Sequence, residues 1–392
     1  MSSLDAEAAN TRLHVATVLA GVGGAVLVVE AIVEDIDVKR TLFAELETIV
    51  ADGCILATST SSISVTASGA KLRRPQRLVG MHFFNPVPLM ALVEVVKGLA
   101  TEEPVADTVF ATATASAWGK SPVHARSPPG FIVNRVARPF YGEALRLLSE
   151  QACDPATLDA VMVDAGGFRM GPFALMDLIG HDVKPAPRTE AARPRPETVS
   201  LSSGPDGVSP VNGARIDGLI DALRQRLAGA GFVVGRSAGL GAFEHEAPTF
   251  HCNGAAIFLT GGRSATGRAD ADHHADTVLF DLALDYAGAT RIALSRADQC
   301  GDAAHNAAVG LFQAAGFAVS RIDDVSGMVV MRTVAMLANE AADAVNQGVC
   351  SASAVDIAMQ KGVNYPRGPL AWTDTIGVRQ VVTVLSKLAP RF

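Results

Sequence analysis

Two residues that could share acid–base chemistry, His82 and Glu94, stand twelve positions apart in two short apolar runs. The connection contains Pro86 and Pro88, which fix φ and remove backbone donors, so it is a stiff turn and not a helix. Apolar runs joined in this way predict neighbouring strands, which would bring the two side chains together. A buried carboxylate beside a histidine holds the ring in one tautomer and favours its protonated form, as a general base requires. The alternative is a histidine that only hydrogen-bonds a loop.

A serine-rich turn, residues 59–62, follows another short apolar run at residues 55–58. Strands that alternate with helices predict a largely parallel sheet, and ligands bind outside the carboxyl ends of such strands. Ser61 and His82 both come at the ends of predicted strands, so we expect them at the same edge of the sheet. For Ser61 alone, the ordinary interpretation is the N-cap of a helix.

Hydrophobic periodicity supplies the elements that would position these residues. The predicted strands of the first part are residues 13–19, 26–33, 55–58, 78–82 and 92–96, and the predicted helices are residues 34–49, 62–70 and 105–118. The pattern then becomes helical from Gly130 to about Gly180.

That helical segment is repeated. Residues 130–180 align without gaps with residues 327–377, at an offset of 197, with 14 identities over 51 positions. Such a match indicates a duplicated module, and we expect the two copies to pack on each other within the chain. The second copy has Met331 where the first has Asn134, so it carries the fold without the polar side chain, and we expect one active site.

The stretch between the copies changes character twice. Residues 183–254 begin with a segment rich in Pro, Arg and Ser and predict a linker with one helix, at residues 216–227. Residues 255–324 predict a small second α/β unit, with strands at 256–259, 291–294 and 318–322 and helices at 276–287 and 303–315. The acidic and histidine residues between Asp270 and Asp276 are interpreted as a solvated loop, and no metal site is predicted.

Composition excludes several classes of protein. The net charge of −7, with three Tyr and two Trp, argues against a nucleic-acid partner. The five cysteines are scattered without a CxxC pair, which indicates reduced thiols. The sequence contains no signal-peptide pattern at its start and no apolar run long enough to span a membrane. We therefore expect a cytoplasmic protein without a membrane partner.

Four motifs in order carry a family resemblance. They are Val29-Glu30-Ala31-Ile32-Val33-Glu34-Asp35 with Lys39, Ser59-Thr60-Ser61-Ser62-Ile63-Ser64, His82-Phe83-Phe84-Asn85-Pro86 with Glu94, and Pro129-Gly130-Phe131-Ile132-Val133-Asn134-Arg135. In this order and spacing the chain resembles the 3-hydroxyacyl-CoA dehydrogenases. The double helical module is similar to that of the long bacterial form used in phenylacetate degradation, which oxidises 3-hydroxyadipyl-CoA. Shorter relatives act on 3-hydroxybutyryl-CoA and dimerise through the helical domain.

The resemblance implies NAD-dependent oxidation of a (3S)-3-hydroxyacyl-CoA to the 3-oxoacyl-CoA. His82 would be the general base and Glu94 would orient it. Ser61 would hydrogen-bond the substrate oxygen at C3, and Asn134 would hold the substrate beside the nicotinamide. The positions implied to line the cofactor are Glu34, Lys39, Ser61 and Asn85.

The implied fold is α/β plus all-α: an incomplete Rossmann-like NAD-binding domain, a duplicated helical module and a small intervening α/β unit. The expected domains are residues 1–125, 126–182, 183–254, 255–324 and 325–392, with the linker third and the helical copies second and fifth. Further assembly into a homo-oligomer is left open.

One expected element is missing from the sequence. Family members begin with a strand and a Gly-x-Gly-x-x-Gly turn whose donors hold the NAD pyrophosphate. The nearest match, Gly21-Val22-Gly23-Gly24-Ala25-Val26, has Val at the last glycine position. The sequence is therefore expected to be an N-terminally truncated dehydrogenase. The alternative is an inactive remnant that binds acyl-CoA or a protein partner.

Overall fold

The computed structural model describes residues 3–114, 118–179, 199–202, 214–232, 234–237 and 249–389. The chain divides into two compact units, Met1–Arg135 with Val345–Gly362, and Val136–Ala344 with Val363–Phe392. None of the helices in the described ranges is both long and apolar enough to span a membrane. The same ranges contain no group of three His, Cys, Asp or Glu side chains arranged to hold a metal ion.

The strands form one sheet in each unit. The first sheet contains β1 (Leu27–Glu30), β2 (Ile55–Thr58), β3 (Leu78–Phe83), β4 (Leu92–Lys97) and β5 (Ser121–Arg126), in that spatial order. The second contains β6 (Val199–Ser202), β7 (Val234–Ser237), β8 (Phe250–Cys252), β9 (Ala255–Leu259), β10 (Thr277–Phe280), β11 (Arg291–Arg296) and β12 (Ala318–Arg321), in the order β12-β11-β10-β9-β8-β6-β7.

Fifteen α-helices lie in the described ranges. They are α1 (Ser3–Asn10), α2 (Ile36–Ile49), α3 (Val65–Ser68), α4 (Glu103–Thr114), α5 (Val133–Val136), α6 (Arg138–Ser149), α7 (Pro155–Asp164), α8 (Pro172–Ile179), α9 (Ala214–Gly229), α10 (Ala265–Asp272), α11 (Asp302–Ala314), α12 (Val330–Asn346), α13 (Ala352–Gly362), α14 (Pro369–Ile376) and α15 (Val378–Leu388).

The first sheet is parallel except for one pair of strands. β1, β2 and β3 run parallel, β3 and β4 are antiparallel, and β4 and β5 are parallel. One face packs against α4 through apolar side chains that include Val79, Met81 and Val95, with Ala106 and Val109 opposite them. The predicted pairing of the two runs around the prolines is confirmed, since β3 and β4 are neighbours.

For the first unit, one predicted strand, at residues 13–19, was wrong, and one strand was missed. Residues 13–17 form no strand, and the next ordered element is a 3-10 helix at Leu19–Val22. Strand β5 was missed because it contains Pro122 and His124, which weaken its apolar pattern. A proline is tolerated here because β5 lies at the edge of the sheet.

In the second unit, strands β9 to β12 repeat the pairing of β2 to β5. β9 and β10 are parallel, β10 and β11 antiparallel, and β11 and β12 parallel. The helix predicted at residues 276–287 was wrong, because Thr277–Phe280 forms β10, an interior strand of the sheet. All four of its residues are buried, and such a short, continuous apolar run cannot be assigned to helix or strand by periodicity.

The stretch predicted as a linker contains ordered elements. Its predicted helix corresponds to α9, but β6, β7 and β8 also lie within it and extend the second sheet. Much of the Pro- and Arg-rich segment, residues 184–198 and 203–210, lies outside the described residues.

The two helical copies contact each other within the second unit. Arg332 of the second copy donates to Glu143 of the first at 2.7 Å, and both side chains are buried. Its other guanidinium nitrogens donate to Glu150 at 2.8 and 2.9 Å. Phe140 and Phe168 of the first copy also pack on Tyr365 of the second. These contacts agree with the expectation that the duplicated modules pack within one chain.

Candidate active site

The alternation of side chains along β3 and β4 puts His82 and Glu94 on one face. His82 lies directly opposite Glu94 in the antiparallel register. Their neighbours Met81 and Val95 point into the core beside α4. Because successive side chains of a strand point to opposite faces, the histidine and the glutamate share the face away from α4.

The two side chains are in direct contact. Nδ1 of His82 lies 2.5 Å from Oε2 of Glu94, and the side chains are 8% and 0% exposed. The rings of Phe84 and Phe131 flank the imidazole, with centroids 4.5 and 5.6 Å away. A carboxylate that accepts the Nδ1–H bond leaves Nε2 as the proton acceptor. The geometry is that of an oriented base.

The second oxygen of Glu94 organises the segment after β5. Oε1 accepts the backbone N–H groups of Ile132 and Val133, at 3.1 and 2.9 Å. The chain reaches this point through a turn with positive φ at Gly130 (80°) and Phe131 (48°). A non-glycine residue in that conformation is strained by about 1 kcal/mol or more, which the surrounding contacts offset. Glu94 therefore fixes both the histidine and the segment that leads to Asn134.

Ser61 lies in a turn that a carboxylate closes. Oε1 of Glu34 accepts the Thr60 hydroxyl at 2.5 Å and the backbone N–H groups of Ser61 and Ser62 at 3.0 and 3.2 Å. Burial raises the pKa of Glu34, but the bonds from Thr60 and Ser61 and the Lys39 ammonium outweigh it, so that the pKa falls to about 2. Ser61 does not cap α3, since Ser64 accepts the Ala67 N–H in that role.

The other predicted polar residues are exposed. Nδ2 of Asn134 donates to the backbone oxygen of Ser61 at 3.4 Å, so these two segments meet. Asn85 is exposed in the loop after β3 and precedes Pro86 in a cis peptide bond. The amide of Asn134 is thus linked to the Ser61 turn and, through Ile132 and Val133, to Glu94.

Lys39 lies deeper than the other residues predicted to line the cofactor. The sequence resemblance implies that it lines the cofactor, but the side chain is completely buried. Its ammonium lies 2.6 Å from Oε1 of Glu30 and 3.3 Å from Oε2 of Glu34. The Lys39 ammonium thus joins two carboxylates, one of which, Glu34, is partly exposed.

Among the described residues, the polar groups near His82 are of the kind that could bind the nicotinamide end of NAD. The partly exposed carboxylate of Glu34, the hydroxyl of Ser61 and the amide of Asn85 supply acceptors and donors for a carboxamide. The first helix after β1 does not provide a phosphate cradle, because Asp35 accepts the N–H groups at its start. Gly21 lies within the 3-10 helix Leu19–Val22, and the turn at Gly23 and Gly24 then leads into β1 and not into an α-helix.

The second unit keeps the same construction without the base. Ser121 and Ala318 begin the corresponding strands β5 and β12 at the offset of 197, and they lie opposite Leu92 and Arg291. Counting from these positions, Ala293 corresponds to Glu94. Asp281 lies opposite Ala293, and the backbone N–H of Asp281 donates to the backbone oxygen of Ala293 at 3.0 Å.

Asp281 takes over only the helix-capping part of the role of Glu94. Its Oδ2 accepts the N–H groups of Val329 and Val330, the counterparts of Ile132 and Val133, at 2.9 and 2.7 Å. Burial raises the pKa of Asp281 to about 6, although its backbone donors oppose the rise. The second unit thus has the cap but lacks a histidine beside it.

The sequence did not predict the roles of three residues of the site. They are Glu30, Thr60 and Phe131, the last of which contacts His82. Glu30 is a single carboxylate in an apolar strand, which is a detectable signal for a buried charge that needs a partner. The partners Lys39 and Thr58 lie 9 and 28 positions away, and nothing in the sequence pairs them.

Family models match most of the chain. Residues 1–127 match the NAD-binding domain of 3-hydroxyacyl-CoA dehydrogenase, and residues 130–200 and 327–392 match its C-terminal domain. Residues 257–325 match a reduced Rossmann-fold domain described for 3-hydroxybutyryl-CoA dehydrogenase.

Individual relatives agree with the family models. The 3-hydroxyadipyl-CoA dehydrogenase of Escherichia coli K12 is 38% identical over 393 residues, which cover 96% of this chain and 79% of that protein. The fatty acid oxidation complex subunit alpha of Psychrobacter arcticus is 49% identical over 157 residues, or 40% of this chain and 21% of that protein. A crystal structure of 3-hydroxybutyryl-CoA dehydrogenase from Escherichia coli K12 superposes with a TM-score of 0.79 at 31% identity, covering 100% of this chain and 83% of that one. The chain belongs to the 3-hydroxyacyl-CoA dehydrogenase family of NAD-dependent oxidoreductases.

Proposed function

We propose that this chain oxidises the 3-hydroxyl group of a (3S)-3-hydroxyacyl-CoA, with His82 as the general base. The observation that carries the proposal is the buried contact between Nδ1 of His82 and Glu94, at 2.5 Å. That contact leaves Nε2 of the ring to accept the hydroxyl proton. The negative charge of Glu94 stabilises the imidazolium that forms.

The oxidation requires no further protein group for its proton and hydride transfers. The O–H proton passes to Nε2 of His82, the C3 carbon and its oxygen become a carbonyl, and the C3 hydrogen leaves with its electron pair. NAD supplies the acceptor for that hydride. The family assignment favours this dehydrogenase over an inactive remnant.

Ser61 and Asn134 are proposed to position the substrate. The Ser61 hydroxyl would donate to the oxygen at C3, and the Asn134 amide would donate to the thioester carbonyl. The contact between Asn134 Nδ2 and the Ser61 backbone at 3.4 Å supports a shared site. Glu34 and Asn85 are proposed to hold the carboxamide end of the cofactor. Orientation of this kind lowers the barrier by bringing reacting atoms to near-attack distance.

The substrate is proposed to be of the 3-hydroxyadipyl-CoA or 3-hydroxybutyryl-CoA type. The first name is that of a relative 38% identical to this chain, and the second is that of the superposed crystal structure. The adipyl group has CH2–CH2–COO⁻ where the butyryl group has CH3, so the two differ by a terminal carboxylate and one methylene. A comparison of kcat/KM on both substrates measures whether the ω-carboxylate is recognised.

The test is NADH formation by the 392-residue chain with each substrate. Turnover that is abolished in His82→Gln supports the proposal. A chain that binds NADH in a fluorescence titration but oxidises neither substrate refutes the proposed substrate class. A chain that binds neither NADH nor NAD is the remnant of the alternative hypothesis.

The helical copies are proposed to replace the subunit contact of shorter relatives. The buried pair of Arg332 and Glu143 supports packing of one copy on the other within a chain. Sedimentation at several protein concentrations tests whether the chain also forms a homo-oligomer.

A further inference from the structure

A row of buried charges begins at Glu30, behind the Ser61 turn. Glu30 ends β1 and is 3% exposed. Its Oε1 accepts the Lys39 ammonium at 2.6 Å and the Ile32 N–H at 2.8 Å, and its Oε2 accepts the Thr58 hydroxyl at 2.7 Å. Three donors from the protein thus hold both oxygens of the carboxylate in place.

Lys39 joins this carboxylate to Glu34. The ammonium has no exposed surface and lies 3.3 Å from Oε2 of Glu34. Because Lys39 projects from α2 and Glu30 ends β1, the ammonium is held between a helix and a strand. A cation fixed in this way restricts the rotation of the Glu34 carboxylate.

Glu34 passes this restraint to the turn. Its Oε1 accepts the hydroxyls of Thr60 and Ser62 at 2.5 and 3.2 Å, in addition to the N–H groups of Ser61 and Ser62. The two oxygens of one carboxylate therefore have separate roles. One contacts the buried ammonium and the other closes the turn.

We infer that the buried pair of Glu30 and Lys39 is a positioning device for the reaction, which orients Glu34 and thereby sets the place of the Ser61 hydroxyl. The inference rests on the proposed function, in which Ser61 bonds the substrate oxygen. Hydride transfer needs near-attack geometry, and a displacement of about 1 Å can lower the rate roughly 100-fold.

The ionic character of this pair supports a positioning role. A buried ion pair is seldom more stabilising than apolar side chains of equal volume, because both charges lose their hydration. Apolar residues would fill the space but could not direct a carboxylate. A charged pair directs Glu34 through a single contact at a defined distance.

The test replaces the pair by neutral side chains of similar size, Glu30→Gln with Lys39→Met, so that no lone buried charge remains. The matched control is Glu47→Gln with Arg77→Met, which neutralises another buried pair in the same unit. Hydrogen exchange in residues 59–64 is expected to become about tenfold faster in the first variant and to stay unchanged in the control. This measurement needs no turnover, so it decides the inference even if the proposed function fails.

Kinetic measurements then separate a loss of positioning of the Ser61 hydroxyl from a general loss of protein stability. The Glu30/Lys39 variant is expected to lose kcat by about tenfold or more, and the KM for NAD is expected to rise with it, because Glu34 is also proposed to hold the carboxamide of the cofactor. In a Ser61→Ala background the same change is expected to have no further effect on kcat. Unchanged exchange in residues 59–64, an equal loss in both backgrounds, or a rise in the KM for NAD alone would each overturn the inference.

Discussion

Replacing Glu94 by glutamine tests the orientation of the base with little change in shape. Glu94 is completely buried, and its two oxygens accept from His82 on one side and from Ile132 and Val133 on the other. In Glu94→Gln the amide oxygen can still accept the two backbone N–H groups. The amide NH₂ then faces His82 and donates to Nδ1, so the ring proton moves to Nε2. A ring with Nε2 protonated cannot accept the proton of the substrate.

The magnitudes follow from these contacts. Loss of a general base lowers kcat by about 10²- to 10⁴-fold. Each of the three hydrogen bonds changes from a charge-assisted to a neutral one, which weakens it by about 1 kcal/mol. The neutral amide is easier to bury than the carboxylate, so the free energy of unfolding should fall by only about 1–3 kcal/mol. The variant should therefore be folded and almost inactive.

The assay combines steady-state NADH formation with urea unfolding on the same preparation. The control is Glu47→Gln, since Glu47 is also buried and also accepts two backbone N–H groups, those of Arg73 and Arg74 at 2.8 and 2.9 Å. It has no histidine partner among its contacts, so its kcat should stay within about twofold. A Glu94→Gln enzyme that keeps more than about a third of its kcat would refute the reasoning on the tautomer.

Four further outcomes are expected. His82→Gln should lower kcat by about 10²-fold or more with an unchanged circular dichroism spectrum, and a near-normal rate would remove His82 from the mechanism. Asn134→Ala should lower kcat/KM for the acyl-CoA about tenfold without altering NADH affinity, measured by fluorescence; an effect on NADH alone would contradict the assignment. Arg332→Met leaves the buried Glu143 with only the half-exposed Arg146 as a partner and should lower the free energy of unfolding in urea by about 3 kcal/mol; a loss below about 1 kcal/mol would contradict a buried ion pair. The pKa of Glu34 is lowered from 4.5 to about 2, so its contribution to stability is complete above pH 4.5 and is lost as pH falls through about 2. Because Glu34 is partly exposed, that loss should be only about 1 kcal/mol, and it should be absent from unfolding curves of Glu34→Gln.

Local sequence was sufficient to predict much of the site. The two prolines between His82 and Glu94 exclude a helix, and the apolar runs on either side have the length of strands. The pairing of these residues therefore followed from short-range information, and β3 and β4 confirm it. The repeat at an offset of 197 likewise required only the sequence, and the contact between Arg332 and Glu143 joins the two copies.

Long-range pairing was not available from the sequence. On helical periodicity alone, Lys39 is an ordinary exposed lysine of α2, and only the fold brings Glu30 of β1 beneath it. Strand β10 shows the same limit, because a four-residue run has no period to distinguish strand from helix. In both cases burial is decided by elements distant in the chain.

The carboxylate that caps the turn comes from a different member of the strand pair in each unit, and this suggests how such a chain can be redesigned. Glu94 and Asp281 stand on opposite members of their strand pairs, yet each terminates the equivalent backbone turn. Termination of that turn and activation of an imidazole are therefore separable tasks. Two substitutions, Asp281→His with Ala293→Glu, define the shortest mutational path from the scaffold half to the arrangement of the catalytic half.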